Sequence, residues 1–182
     1  MNTWVALLRG VNVNGINIKM PALKGCLADI GLAEPKTILA SGNVVFYAEN
    51  TTTKNARADL KSTIEGALRK QFGYDAWIVL ITAAELKKAV DGFPYEASDP
   101  TIQPYVLFGS DQAALDTLLA SAEDLDPDVE EIASGPGVIY WRCPKGRSTE
   151  TPFAKLAAKP KFRSSTTTRN MRTLQKVLAA AG

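Results

Sequence analysis

An α+β fold built from two related βαββαβ-type units, ferredoxin-like in element order, is what the sequence predicts. Three observations lead there. Short apolar runs alternate with amphipathic stretches, and Gly, Pro or Asn marks most of the junctions between them. The order strand–helix–strand–strand–helix–strand occurs once in full and a second time without its last strand. The 182 residues, 46% hydrophobic and 22% charged, have ordinary globular composition and suffice for two small subdomains.

The first copy opens with Trp4–Leu8, an apolar run that reads as a buried strand ended by Arg9-Gly10 and a loop rich in Asn and Gly. Pro21 opens a helix to about Ile30, and Gly31 follows its end. Thr37–Ala40 and Asn43–Ala48 read as two strands around Ser41-Gly42. A helix from about Thr53 to Phe72 places Ala56, Leu60, Ile64, Ala67 and Leu68 on one face. Gly73 stops it, and Trp77–Ile81 is the fourth strand.

The second copy starts at residue 83, where Thr82 and Glu85, three residues apart, form a capping box for a helix to about Val90. Pro104–Phe108 is then a strand and Asp111–Ala122 a helix; Val129–Ala133 and Val138–Arg142 are strands around Ser134–Gly137. Thr151 caps a helix from Pro152, and a last helix runs from about Asn170 to Ala181. The fourth strand of this copy is expected to be shortened or replaced. The copies divide as residues 1–82 and 83–182, packed together, since no linker-like composition separates them.

Composition excludes some chemistry. There is no histidine, which removes Ser-His-Asp and Cys-His catalysis and most zinc and non-haem iron sites. The two cysteines, Cys26 and Cys143, make neither a disulfide framework nor a ligand set. Cys26 lies on the apolar stripe Leu23, Cys26, Leu27, Ile30 and reads as a core thiol. No apolar stretch approaches the roughly 20 residues that span a bilayer. The short N-terminal apolar run, without a basic leader and closed by Arg9, is not a signal peptide, so a cytoplasmic protein without membrane association is expected.

Net charge is +2, yet the charges are segregated. Residues 1–88 hold 11 basic and 7 acidic side chains, residues 89–141 hold 11 acids and no base, and residues 142–182 hold 10 bases and one acid, Glu150. Such a pattern concerns fields and partners. Either the middle and the end face each other, or the basic end meets an anionic partner, nucleic acid among them.

Three motifs could carry chemistry. The loop after the first strand holds Gly10 and Gly15 with four residues between them, the context of a phosphate loop. It continues Ile16-Asn17 where a Walker loop has Lys-Ser or Lys-Thr, and Lys19 comes too late, so it is not one. What remains is a polar loop, with Arg9, Asn12, Asn14, Gly15, Asn17 and Lys19, suited to an anion or amide, or else a crossover whose asparagines hold tight turns. Ser41 and Asn43 beside Gly42 form the second motif, with a structural turn as the alternative. The third is the basic stretch Arg163–Asn170, read as the entrance to the last helix, where Thr168, Arg169 and Asn170 offer hydroxyl, guanidinium and amide groups beside helical N–H groups. No cofactor motif is complete.

Ala6-Leu-Leu-Arg-Gly-Val-Asn-Val-Asn-Gly15, Lys19-Met20, Ser41-Gly-Asn-Val-Val-Phe46 and Thr168-Arg-Asn170 with Thr173 and Lys176 resemble domain of unknown function family 1697. The resemblance implies a small cytoplasmic bacterial protein with two α/β subdomains of related topology, and it implies no activity. It singles out Arg9, Asn12, Gly15, Ser41, Asn43, Thr168, Arg169 and Asn170 as signature positions. Asn14 stands where the family usually has a second Gly, and Met171 where it often has Trp. The expectation is that the three motifs meet in one polar pocket for a small anionic ligand. A nucleic-acid binder using the basic end and a histidine-free enzyme are the alternatives.

Overall fold

The apolar run at the start of the chain forms β1 (Asn2–Arg9) in the computed structural model, which describes residues 1–11, 15–49, 54–122 and 125–182. There follow α1 (Met20–Asp29), β2 (Ala33–Ile38), β3 (Asn43–Ala48), α2 (Lys54–Phe72), β4 (Trp77–Thr82) and α3 (Ala83–Asp91). The second series is β5 (Ile102–Gly109), α4 (Gln112–Ala120), β6 (Glu131–Gly135), β7 (Val138–Pro144), α5 (Pro152–Ala157), α6 (Pro160–Arg163), β8 (Thr166–Asn170) and α7 (Met171–Ala180). Each series makes one four-stranded antiparallel sheet, in the order β2-β3-β1-β4 and β6-β7-β5-β8. The two orders are the same ferredoxin-like arrangement.

Three expectations are corrected. The second copy does have its fourth strand: Thr166–Asn170 pairs with β5 from Gly109↔Thr166 to Tyr105↔Asn170, so the last helix begins at Met171. Its β-branched threonines suit a strand better than a helix entrance. The strand expected at Thr37–Ala40 lies at Ala33–Ile38, on the sheet edge, where the irregular register between Ala33 and Lys36 accommodates Pro35. The strand expected at Val129–Ala133 starts only at Glu131, because Glu130 turns inward as a buried acceptor.

Two compact units arise: Met1–Leu86 with Gln175–Gly182, and Lys87–Leu174. In the first, one sheet face carries Trp4, Ala6, Leu8, Val44, Phe46, Ile78 and Leu80, which pack with Leu23, Leu27, Ile64 and Leu68 of the helices. Alternate residues point the other way, and Val5, Leu7, Val45, Val79 and Ile81 are buried too. The second unit repeats this. Leu107, Ile139, Trp141 and Cys143 pack with Leu115, Leu118, Phe153 and Phe162, while Val106, Phe108, Val138 and Tyr140 fill the opposite face. Burial on both faces is why the central strands read as continuous apolar runs.

Two buried carboxylates fix helices to strands. Glu65 of α2 accepts the Ile78 N–H at 3.0 Å and the Lys61 ammonium at 2.7 Å. Glu130 accepts the Trp141 indole N–H at 2.9 Å and the Phe153 N–H at the start of α5 at 2.8 Å.

The capping box forms as expected: the Thr82 N–H donates to Glu85 at 2.7 Å and the Glu85 N–H to the Thr82 hydroxyl at 3.2 Å. Arg57 adds an ion pair at 3.0 Å. Burial pushes the Glu85 carboxyl up, but the Thr82 N–H, the Arg57 guanidinium and the Thr82 hydroxyl together outweigh it and hold it below its ordinary value. A depressed folded value stabilises the protein above the ordinary carboxyl range, and that contribution disappears as pH falls through the folded value. Glu85→Gln should therefore lower the melting temperature at neutral pH, and its gap to the parent should close below about pH 4. The side chain is 43% exposed, so the neutral-pH effect should stay within about 1 kcal/mol in paired thermal melts.

Candidate functional site

In the first unit the chain leaves β1 at Arg9, half-buried, and turns at Gly10 with φ +72°. Val11 and Ile18 are buried and fasten the loop to the core, while Gly15, Asn17 and Lys19 are exposed. Asn12 and Asn14 lie outside the described residues. Gly15, at φ +83°, holds a conformation an L side chain resists. The loop runs into α1, whose N-cap position is Lys19. That residue makes no capping side-chain bond, Pro21 follows, and no acid stands in the first turn.

The β2–β3 turn sits against this loop. The Leu8 N–H donates to the Gly42 carbonyl at 2.7 Å. A Cβ on Gly42, whose φ is +75°, would stand 2.9 Å from the Leu8 Cβ and 3.2 Å from a Val11 methyl. Only glycine allows the turn to close so near the loop. Asn43, fully buried, donates from its amide to the Ile38 carbonyl at 2.9 Å and to the Ser41 hydroxyl at 2.8 Å. Its side chain thus builds the turn, and Ser41 is left at the surface. Leu39, also at positive φ (+59°) and 46% exposed, begins the turn. The first two motifs are therefore neighbours within one unit.

Thr168, Arg169 and Asn170 belong to the second unit, on β8 rather than at a helix entrance. Arg169 is buried and donates to the Thr167 hydroxyl at 2.8 Å and the Thr168 carbonyl at 3.0 Å. The Asn170 carbonyl oxygen accepts the Thr173 N–H at 2.8 Å, capping α7. Asn170 faces Tyr105 across the sheet as Thr82 faces Trp4, so the two caps hold equivalent places in the two sheets. Met171, where the family often has Trp, is buried.

A protein of two ferredoxin-like units, with a glycine- and asparagine-bearing loop after its first strand, is the class these features define. The chain belongs to the family described as Protein of unknown function (DUF1697), whose model matches residues 1–140. Thr168–Asn170 lies beyond that span. A conserved bacterial protein from Streptococcus pneumoniae is similar in structure, with TM-score 0.82 and 23% identity over 100% of this chain and 98% of that one. That likeness is one of fold. An unknown protein from Galdieria sulphuraria aligns over 98% of this chain and 88% of its own, at 14% identity and TM-score 0.27, too low for any conclusion. No curated protein matches.

Among the described residues, no group of three or more Cys, Asp or Glu is placed to hold a metal ion. Glu65 and Glu130 are engaged as structural acceptors. Nothing in the sequence distinguished these two from solvated surface acids. Burial, then Cys26 and Glu65, pushes the Tyr74 hydroxyl up to about 12. Cys143 is pushed up to about 11 by burial and by Glu130, and Cys26 is raised by burial and by Asp29. A thiol raised this way is protonated at neutral pH and a poor nucleophile. Both cysteines should resist a disulfide reagent in the native protein at pH 7 and react once it is unfolded; fast labelling of either native thiol would contradict the burial.

Proposed function

We propose that the protein binds a small anionic metabolite, such as a nucleotide, phosphate ester or carboxylate, at the loop between β1 and α1. Arg9 and Lys19 supply the positive charge. The Ser41 hydroxyl, Asn12 and Asn14 supply neutral hydrogen bonds, and Gly15 allows the backbone to approach the ligand. Asn43 contributes by holding the turn that carries Ser41. The observation that carries the proposal is the start of α1: a ten-residue helix whose N-terminus has no capping side chain and no acid, directly behind a polar loop. The partial positive charge of such an end favours an anion. The setting we propose is the cytoplasm, in keeping with two free thiols and with no described helix long and apolar enough to cross a membrane.

The test is a thermal-shift screen over nucleoside phosphates, a sugar phosphate and dicarboxylates. A ligand at 100 times its Kd should stabilise the fold by about 2.7 kcal/mol. Arg9→Ala and Lys19→Ala should each lose that shift. Gly42→Ala should weaken binding while costing about 1–2 kcal/mol of stability, because its backbone is left-handed and Leu8 is in the way. Arg169→Ala, run in parallel, reads the contribution of the Thr168–Asn170 signature. A shift that survives both Arg9→Ala and Lys19→Ala would sink the proposal.

A further inference from the structure

We propose that the α5–α6 face of the second unit is a docking surface for the phosphate backbone of double-stranded nucleic acid. It rests on residues separate from those of the loop site. Lys155 on α5, Lys159 at the junction, and Lys161 and Arg163 on α6 are all exposed, and none forms an ion pair among the described residues. Lys145, exposed on the turn after β7, adds a fifth unpaired cation. Over residues 142–182 the one acid, Glu150, is taken up by Arg147 at 3.5 Å.

These cations stand on a fixed platform. Phe153 and Phe162, the inner residues of α5 and α6, are buried in the core of the unit. Glu130 holds the Phe153 N–H, the Thr151 hydroxyl accepts the Ala154 N–H at 3.3 Å, and the Thr166 hydroxyl donates to the Phe162 carbonyl at 2.9 Å. Lys159 and Arg163 are joined by a backbone bond at 2.9 Å, one helical turn apart. Lys161 lies over the Phe162 ring, its ammonium 4.5 Å from the centroid. A solvated tail would show none of this anchoring.

The distribution selects the partner. A small anion needs donors converging on one point, whereas these charges are strung along two helices and a turn, as suits a ligand that repeats its charge. A duplex offers about one phosphate per 1.7 Å of axis. Reading single-stranded bases requires exposed aromatic platforms. Here Tyr105 stacks on Trp141, Trp141 packs at a tilt against Phe153, and Trp141, Phe153 and Phe162 are buried. Binding is therefore to the backbone and indifferent to sequence. The stretch 89–141, with 11 acids and no base, repels phosphate and confines contact to this face.

The experiment is fluorescence anisotropy of two unrelated labelled duplexes with the full chain. Both should bind alike, and affinity should fall about 100-fold between about 50 and 200 mM salt, the slope for about four phosphates neutralised. The combined variant Lys155→Glu, Lys159→Glu, Lys161→Glu, Arg163→Glu should abolish binding with unchanged circular dichroism and melting. If it misfolds, the same four positions as Gln should cut affinity and flatten the slope. No binding at about 50 mM salt, binding that survives the Gln variant, or strong preference for one sequence would overturn the proposal. So would binding to anionic lipid vesicles or polyglutamate in place of duplex. Small-anion shifts in the thermal screen should be untouched by the Gln variant, which keeps failure here distinct from failure of the loop site.

Discussion

The central strands β1 and β5 are buried on both faces, and the rest of each unit is arranged around that constraint. A strand shut away from water must pair its backbone groups on both edges. β3 and β4 do this for β1, and β7 and β8 for β5. Apolar side chains then project from both faces of the sheet, Leu8 with the helices on one side and Leu7 on the other. The central strand reaches the surface only at its ends. In the first unit one such end is Arg9, followed by a loop whose apolar residues Val11 and Ile18 return to the core while its polar ones stay outside.

Polar groups inside each unit act mainly as fasteners. Glu65 and Glu130 each accept a backbone N–H from another element, and Asn43 closes a turn with two donated bonds. Thr82 and Asn170 cap the helix that follows the fourth strand in each series. Part of the family signature is thereby explained without a ligand. Asn170 is where it is because a helix starts there, and Gly42 because any side chain would strike Leu8. The ligand proposal leans on Arg9, Lys19 and Ser41, of which Lys19 and Ser41 are exposed.

Much of this was legible in the sequence, and the rest failed for identifiable reasons. β1, α1, β3, α2 and β4 follow from apolar period, proline and glycine, and the Thr82–Glu85 box from its spacing. β8 did not, because Thr166-Thr-Thr-Arg-Asn170 has no apolar alternation and the burial of Thr166, Thr167 and Arg169 is decided by tertiary pairing. β2 starts four residues before the expected Thr37, because a strand on the sheet edge tolerates Pro35 within it. At the site, the adjacency of Ser41-Gly42 to the first loop was an expectation that β1–β3 pairing realises. The donors of Asn43 could not be assigned to the turn without coordinates, since a surface asparagine and a buried one look the same in sequence.

The border between the compact units runs inside helices, after Leu86 in α3 and after Leu174 in α7, and not between the two series of elements. This bears on the order in which the molecule can be finished. During synthesis the first series emerges early, yet the first unit includes Gln175–Gly182, made after the whole of the second unit. It cannot be complete until the whole second unit has been translated. The chain must therefore hold its first unit without the end of α7 while the second forms, and a stop before residue 175 would remove a piece of the part that was made first.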